Sequence, residues 1–120
     1  MTHKELQKTF ASTFGEGDEA RIFFSPGRIN LIGEHIDYNG GKVLPAALSI
    51  GITALVRPNN SSRINMISLN AEGKTTVDLT KKIEAQINQW GNYPRGIIHH
   101  LLQLGISLQG CDVLFYSNLP

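Results

Sequence analysis

The sequence predicts an α+β fold built as one structural unit. Patterns typical of amphipathic helices stand toward the two ends of the chain, and short apolar runs separated by glycine, proline and polar clusters occupy its middle. No repeat, low-complexity tract or linker divides the 120 residues. We therefore expect a centre that is mostly sheet, with helices packed on it.

The first helix is predicted over residues 3–14. Thr2 and Glu5 have the spacing of a capping box, in which each side chain satisfies a backbone N–H at the start of a helix. Apolar residues then recur at every fourth position before Gly15, namely Leu6, Phe10 and Phe14. One face of this helix should therefore be buried.

Strands are predicted along the middle of the chain. The apolar run 21–25 is a short strand that Pro26 and Gly27 end, and residues 28–39 follow neither a helical nor a strand period, so we expect them to be irregular. Glycine, proline and polar clusters delimit the remaining strands. Two strands are predicted at 43–47 and 50–56, with a turn at 57–60. Residues 63–69 and 75–79 should then form a hairpin around 71–74.

The second helix is predicted to begin with Asn92 as its cap, to carry Pro94 in its first turn and to end at Gly105. Its buried stripe should consist of five apolar residues: Ile97, Ile98, Leu101, Leu102 and Leu104. Residues 111–116 form a final strand of the buried type.

Charge and cysteine content narrow the class of partner and the compartment. Lys and Arg number 11 against 10 Asp and Glu, without a block of like charge, which argues against nucleic acid and anionic membranes and leaves a small molecule or another protein. The single cysteine, Cys111, excludes an internal disulfide and a multi-cysteine metal cluster and suits a cytoplasmic protein. No uncharged apolar run approaches the roughly 18 residues of a membrane span, and the first residues are charged and amphipathic, so we expect a soluble, non-secreted chain.

A polar segment between Pro26 and Tyr38 carries the chemistry. Five strongly polar side chains stand there among apolar residues: Arg28, Asn30, Glu34, His35 and Asp37. Such groups are costly to bury unless they pair with one another or with a ligand. Two carboxylates and an imidazole can bind several hydroxyls of a polyol. The guanidinium suits an anionic phosphate or a nearby carboxylate.

Two other interpretations of this segment stay open from the residues alone. Arg28 could pair with Glu34 or Asp37 in a structural network, with His35 packed as an ordinary ring. The trio of carboxylates and imidazole could also bind a metal ion. In that case the two adjacent residues would have to wrap tightly around it, and no further His or Cys completes the shell.

Residues 27–38, GRINLIGEHIDY, resemble the galactokinase signature G-R-x-N-[LIV]-I-G-E-H-x-D-Y at every specified position. The rest of the chain is similar in order to the amino-terminal portion of galactokinases, which belong to the GHMP sugar and metabolite kinases. The resemblance implies that residues 1–120 fold like domain 2 of ribosomal protein S5, incomplete at the C-terminal end. It also implies ATP-dependent phosphorylation of the anomeric hydroxyl of α-D-galactose to galactose 1-phosphate.

The resemblance also implies roles for individual residues. Arg28 matches the arginine that stabilises the transition state beside the reacting hydroxyl. The residues that match the galactose-binding loop are Glu34, His35, Ile36, Asp37, Tyr38 and Asn39. Trp90 and Tyr93 resemble the aromatic residues that flank adenine, and Ser68 lies where some members contact the nucleotide. An indole and a phenol can stack on a base, but a core Trp with a capping Tyr explains the same residues equally well.

The implied cofactors are ATP and Mg²⁺. Phosphoryl transfer also needs a phosphate cradle, magnesium ligands and a group that positions the attacking hydroxyl. The family's Gly-Ser-rich phosphate loop, its magnesium ligands, its catalytic aspartate and its C-terminal domain have no counterpart here. We therefore expect no metal site in this chain and no kinase activity without the remainder of its parent polypeptide. The alternatives are a catalytically silent galactose and ATP sensor or regulator, an N-acetylgalactosamine kinase, and a purely structural domain.

Overall fold

A computed structural model describes all 120 residues and consists of two helices and five strands. The elements are α1 (His3–Phe14), β1 (Arg21–Ile32), β2 (Leu44–Pro58), β3 (Arg63–Ser68), β4 (Lys74–Asp78), α2 (Asn92–Gln103) and β5 (Cys111–Ser117). The strands form one sheet in the order β1-β2-β5-β3-β4, in which only β3 and β5 pair in parallel. The predicted α+β class, with a mixed sheet and packed helices, is confirmed.

The two helices cover opposite faces of the sheet. Leu6 and Phe10 of α1 pack in one buried cluster with Leu114 of β5, whereas Ile98 of α2 packs in a second cluster with Val113. Successive residues of a strand point to opposite faces, so these two neighbours in β5 each anchor one helix. The central position of β5 therefore creates a core on both sides. Neither helix has the length and apolar character that crossing a membrane requires.

The first helix has the predicted bounds and the predicted capping box. The Thr2 N–H donates to Glu5 Oε2 at 2.6 Å, and the Glu5 N–H donates to Thr2 Oγ1 at 3.2 Å. Both bonds satisfy donors that the first turn of a helix leaves free. The burial of Leu6 and Phe10, with 1% of each exposed, confirms the apolar face.

The first strand is longer than predicted. It continues past Pro26 and Gly27 to Ile32, with irregular register at Pro26/Arg28 and again at Asn30/Ile32. Because β1 is an edge strand, a proline there can face the open side and need not remove a ladder hydrogen bond. The expectation that residues 28–32 are irregular is therefore wrong, whereas residues 33–43 do form the connection to β2.

The two predicted strands 43–47 and 50–56 are one continuous strand, β2. Pro45 does not interrupt it, because β5 pairs only with residues 52–58 of β2, which leaves one side of the earlier residues open. Gly51 does not interrupt it either. A Cβ at Gly51 would lie 2.1 Å from the Ser25 carbonyl oxygen, so glycine is required for the close approach of β1.

The hairpin of β3 and β4 is confirmed, with Gly73 at φ +86° in its turn. The second helix has nearly the predicted bounds, but its cap is Gly91, which makes no side-chain capping bond, and Asn92 instead hydrogen-bonds the Gln86 backbone. Its predicted apolar stripe is only partly buried. Ile98 is buried, but Ile97 is 62% and Leu104 77% exposed. One side of α2 meets the sheet, and Ile97, one residue or about 100° around the helix from Ile98, faces a cleft instead.

Candidate functional site

The polar segment occupies the end of β1 and the loop that follows it. Gly33 ends the strand at φ +91°, where a Cβ would lie 2.7 Å from the Lys42 carbonyl oxygen, so the two ends of the loop come close together. Backbone hydrogen bonds within the loop hold it compact, namely Asn39 N to Ile36 O, Gly40 N to Asp37 O and Gly41 N to Ile36 O. The loop is therefore a structured turn.

His35 has a defined orientation in this turn. Its Nδ1 lies 2.9 Å from the Tyr38 hydroxyl, and its carbonyl oxygen accepts a hydrogen bond from Asn39 Nδ2 at 3.0 Å. Its backbone lies in the left-handed region at φ 59°, which a residue with a side chain rarely adopts. Such conformations cluster at binding sites, where the surroundings hold them in place. The other ring nitrogen of His35 has no hydrogen-bond partner in the structure, and the side chain is exposed.

Arg28, Glu34 and Asp37 make no ion pair. The structure contains one salt bridge, between Lys82 and Glu84 at 4.0 Å. The side chains of Arg28, Glu34 and Asp37 are exposed and make no hydrogen bond either. The interpretation of this segment as an internal ion-pair network is therefore wrong. No group of three His, Cys, Asp or Glu side chains is placed to hold a metal ion.

The three predicted nucleotide residues meet in one cleft. Ser68, Trp90 and Tyr93 line a cavity of about 380 Å³ between α2 and the sheet. The Trp90 ring stands edge-on to Phe115, with centroids 6.1 Å apart and an interplanar angle of 79°. Tyr93 is 83% exposed at the mouth. A mostly apolar wall with aromatic rings and a few polar groups is typical of a small-molecule site.

Sequence reasoning missed the sheet wall of this cleft. Phe115 and Ile52 line it, and Asn70 both donates to the Ser117 carbonyl at 2.8 Å and accepts from the Ser117 N–H at 2.6 Å. No local pattern marks these residues as a group. Ser68 lies beside Phe115 only because β3 pairs in parallel with β5, a pairing that joins residues 47 positions apart.

The end of the chain connects the cleft to the polar segment. Ser117 and Ile52 pair across β5 and β2 and both line the cleft. Two residues further on, the Leu119 side chain lies against Gly27, where a Cβ would come within 2.5 Å of Leu119 Cδ2. Since Gly27 directly precedes Arg28, the two groups of candidate site residues lie on either side of residues 117–119.

Comparison with known proteins first defines the class of fold. The structure superposes on the mevalonate kinase of Methanococcus jannaschii with a TM-score of 0.67, at 20% identity, over 85% of this chain and 33% of that one. It superposes on the galactokinase of Lactococcus lactis complexed with galactose with a TM-score of 0.90, at 39% identity, over 98% of this chain and 31% of that one. The fold is that of part of a GHMP kinase.

Sequence comparison then points to galactokinases. Residues 8–58 match the galactokinase galactose-binding signature. The chain is 43% identical over 120 residues to the galactokinase of Clostridium tetani, which covers 100% of this chain and 30% of that enzyme. This chain is similar to the amino-terminal part of galactokinases, and it spans about 30% of the length of the curated relatives it matches.

Proposed function

We propose that the protein to which this chain belongs is a galactokinase, which transfers phosphate from ATP to the anomeric hydroxyl of α-D-galactose and yields galactose 1-phosphate. Residues 1–120 form the amino-terminal part of its first domain, with the galactose-binding signature at 27–38. The observation that carries the proposal is the turn after β1, in which exposed carboxylates without ion-pair partners stand beside an oriented imidazole.

The sugar binds at this turn through Glu34, His35, Ile36, Asp37, Tyr38 and Asn39. Ionised carboxylates accept hydrogen bonds from hydroxyls and are stronger acceptors than neutral groups. Because Glu34 and Asp37 have no partner within the chain, they are free to accept from sugar hydroxyls. The Tyr38 hydroxyl at 2.9 Å from Nδ1 fixes the imidazole of His35 and leaves its other nitrogen for the sugar.

Arg28 stabilises the transition state. It stands on the strand directly before the sugar-binding turn, and its guanidinium makes no ion pair or hydrogen bond in the structure. A permanent cation placed beside the reacting hydroxyl lowers the energy of the negative charge that spreads over the transferred phosphoryl group. Magnesium neutralises phosphate charge in this chemistry. The residues of this chain offer no ligand set for it, and we assign none.

The adenine of ATP occupies the cleft lined by Ser68, Trp90 and Tyr93. Base stacking on an indole or a phenol face is favourable and independent of salt bridges. The cleft and Arg28 lie on either side of residues 117–119, which supports an arrangement in which the phosphates extend from the cleft toward the sugar. The remainder of the parent polypeptide completes the site. The lone Cys111 fits a protein that works in the cytosol.

The proposal is tested by assaying the intact protein with ATP and a panel of galactose, N-acetylgalactosamine and glucose. We expect galactose 1-phosphate as the main product. Preferred turnover of N-acetylgalactosamine would reassign the substrate, and galactose binding without turnover would identify a silent sensor. Absence of both binding and turnover with galactose would refute the proposal. The 120-residue chain, assayed in parallel, should show no turnover.

A further inference from the structure

The guanidinium of Arg95 is buried and has no carboxylate partner. Only 5% of the residue is exposed, and the one salt bridge of the structure involves other residues. Removing a charged group from water is costly unless hydrogen bonds compensate, so charged residues are seldom buried without an acidic partner. Arg95 also lies in the first turn of α2, where the helix dipole disfavours a cation. Its position therefore needs an explanation other than an ion pair.

The acceptors of Arg95 are two neutral amides. Nη1 donates to Asn92 Oδ1 at 3.2 Å, and Nη2 donates to Gln89 Oε1 at 3.4 Å. Asn92 is in turn bonded to both the N–H and the carbonyl of Gln86. We call these four residues, Gln86, Gln89, Asn92 and Arg95, the amide brace. It ties the loop before α2 to the helix. The guanidinium donates hydrogen bonds to Gln89, which precedes residues 90–91, and to Asn92, which follows them.

Trp90 lies inside the stretch that the amide brace holds. The adjacent Gly91 presses on β4, because a Cβ there would come within 2.2 Å of Thr75 Oγ1. The indole itself touches the sheet through its edge-on contact with Phe115. Residues 80–91 contain no strand or helix that could fix the ring. The position of Trp90 therefore depends on its packing against Phe115 and the core cluster that contains Ile98 and Val113, on Gly91, and on the hydrogen bonds of Arg95.

We propose that Arg95 is a positioning residue that fixes Trp90 as a wall of the nucleotide cleft. This inference rests on the proposed function in so far as the cleft takes adenine. Arg95 does not touch the nucleotide. Its planar fork presents two separate nitrogens to two acceptors, one on each side of Trp90, whereas a lysine carries all its donors on a single nitrogen. Without Arg95, Gln89 Oε1 and Asn92 Oδ1 each lose a hydrogen-bond donor. The loop before α2 then becomes more mobile.

Collisional quenching by acrylamide tests the positioning directly, since Trp90 is the one tryptophan of the 120-residue chain. We expect Arg95→Met to raise the quenching constant of Trp90 at least twofold, and Arg95→Lys to raise it less. Lys82→Met is the matched control, because it removes a nearby cation that is 84% exposed and lies outside the amide brace. An unchanged quenching constant in folded Arg95→Met, as judged by circular dichroism, would overturn the proposal.

Adenosine, which carries the base without phosphates, tests the consequence for the cleft. We expect its affinity, followed by Trp90 emission, to fall at least fivefold in Arg95→Met and to stay unchanged in Lys82→Met. A raised quenching constant of Trp90 together with an unchanged affinity for adenosine would also overturn the proposal. If neither the wild-type chain nor the intact protein binds adenosine, the proposed nucleotide cleft fails, while quenching still decides the role of Arg95. Should Arg95→Met not fold, Gln89→Leu removes one acceptor at an exposed position and should change both measurements in the same direction.

Discussion

Gly51 and Asn118 hold each other through two hydrogen bonds. The Asn118 N–H donates to the Gly51 carbonyl at 3.2 Å, and the Gly51 N–H donates to Asn118 Oδ1 at 2.8 Å. This pair extends the contact between β2 and the chain beyond β5, and it brings Leu119 against Gly27. The pair therefore joins the cleft wall to the strand that carries Arg28.

Gly51→Ala should destabilise the fold at this point. The added Cβ would lie 2.1 Å from the Ser25 carbonyl oxygen, which is backbone and cannot rotate away, so β1 and β2 must separate. Such overpacking typically costs about 1–3 kcal/mol of unfolding free energy. Gly96→Ala is the control. No atom lies within 4 Å of its added Cβ, and alanine in a helix interior should stabilise by about 0.5–1 kcal/mol. Urea denaturation of both variants measures the change in unfolding free energy. An equal change in Gly51→Ala and Gly96→Ala would contradict the structure.

Leu55→Ala should be among the most damaging truncations. Leu55 is fully buried under α1, and a cavity in such a core costs about 2–5 kcal/mol. Leu104→Ala removes the same atoms from a side chain that is 77% exposed and should change stability by less than about 0.5 kcal/mol. Thermal unfolding followed by circular dichroism compares the two. A large loss in Leu104→Ala would mean that this residue is covered in solution.

Arg28→Ala and Asp37→Ala should separate catalysis from sugar binding in the intact protein. Loss of a group that stabilises transition-state charge lowers kcat by about 100-fold or more. Loss of a carboxylate that binds a hydroxyl should mainly raise the KM for galactose, by about 10-fold or more. Arg21→Ala, an exposed arginine at the start of the same strand, is the control and should leave both constants unchanged. Unchanged kinetics in the Arg28 and Asp37 variants would refute the assigned roles.

Two hydrogen-bonded carboxylates, Glu5 and Asp78, make the fold sensitive to acid. The Thr2 backbone N–H, and then its side chain, hydrogen-bond to Glu5 and lower its pKa from the ordinary 4.5. Hydrogen bonds from the Thr80 side chain and backbone lower the pKa of Asp78 from 3.8. When a folded-state pKa is depressed, its contribution is complete above the unfolded value and is lost as the pH falls through the folded value. Stability should therefore decrease as the pH falls below about 4.5.

Urea denaturation at pH 7 and pH 3 measures this acid sensitivity. Asp78→Asn should reduce the difference between the two pH values, because the neutral amide does not titrate. Glu72→Gln removes an exposed carboxylate that makes no hydrogen bond in the structure and should leave the difference unchanged. Equal pH dependence in the wild-type chain and in Asp78→Asn would show that the Thr80 hydrogen bonds do not persist in solution.

Local patterns determined most elements of this protein and the turn after β1 that we propose binds sugar. The capping box at Thr2 and the apolar period of α1 act within a few residues, so they can be read directly from the sequence. The pattern at 27–38 is equally local, since the end of β1 and the turn after it present its side chains. The main wrong predictions were the strand ends near Pro26 and Pro45. A proline interrupts a strand where both sides need hydrogen bonds, but these two lie where one side of the strand is open.

The tertiary structure alone decided which distant residues share a site. Ser68 and Trp90 could be named from resemblance, but Phe115 joins them only through the parallel pairing of β3 with β5. The burial of Arg95 is likewise invisible in the sequence, where a charged residue in a helix is expected to face solvent. Hydrogen-bond spacing and side-chain periodicity act along the chain, whereas clefts and buried charges depend on the order of strands across the sheet. The sequence accordingly determined the turn that we propose binds the sugar, and the packing of α2 against the sheet decided the cleft.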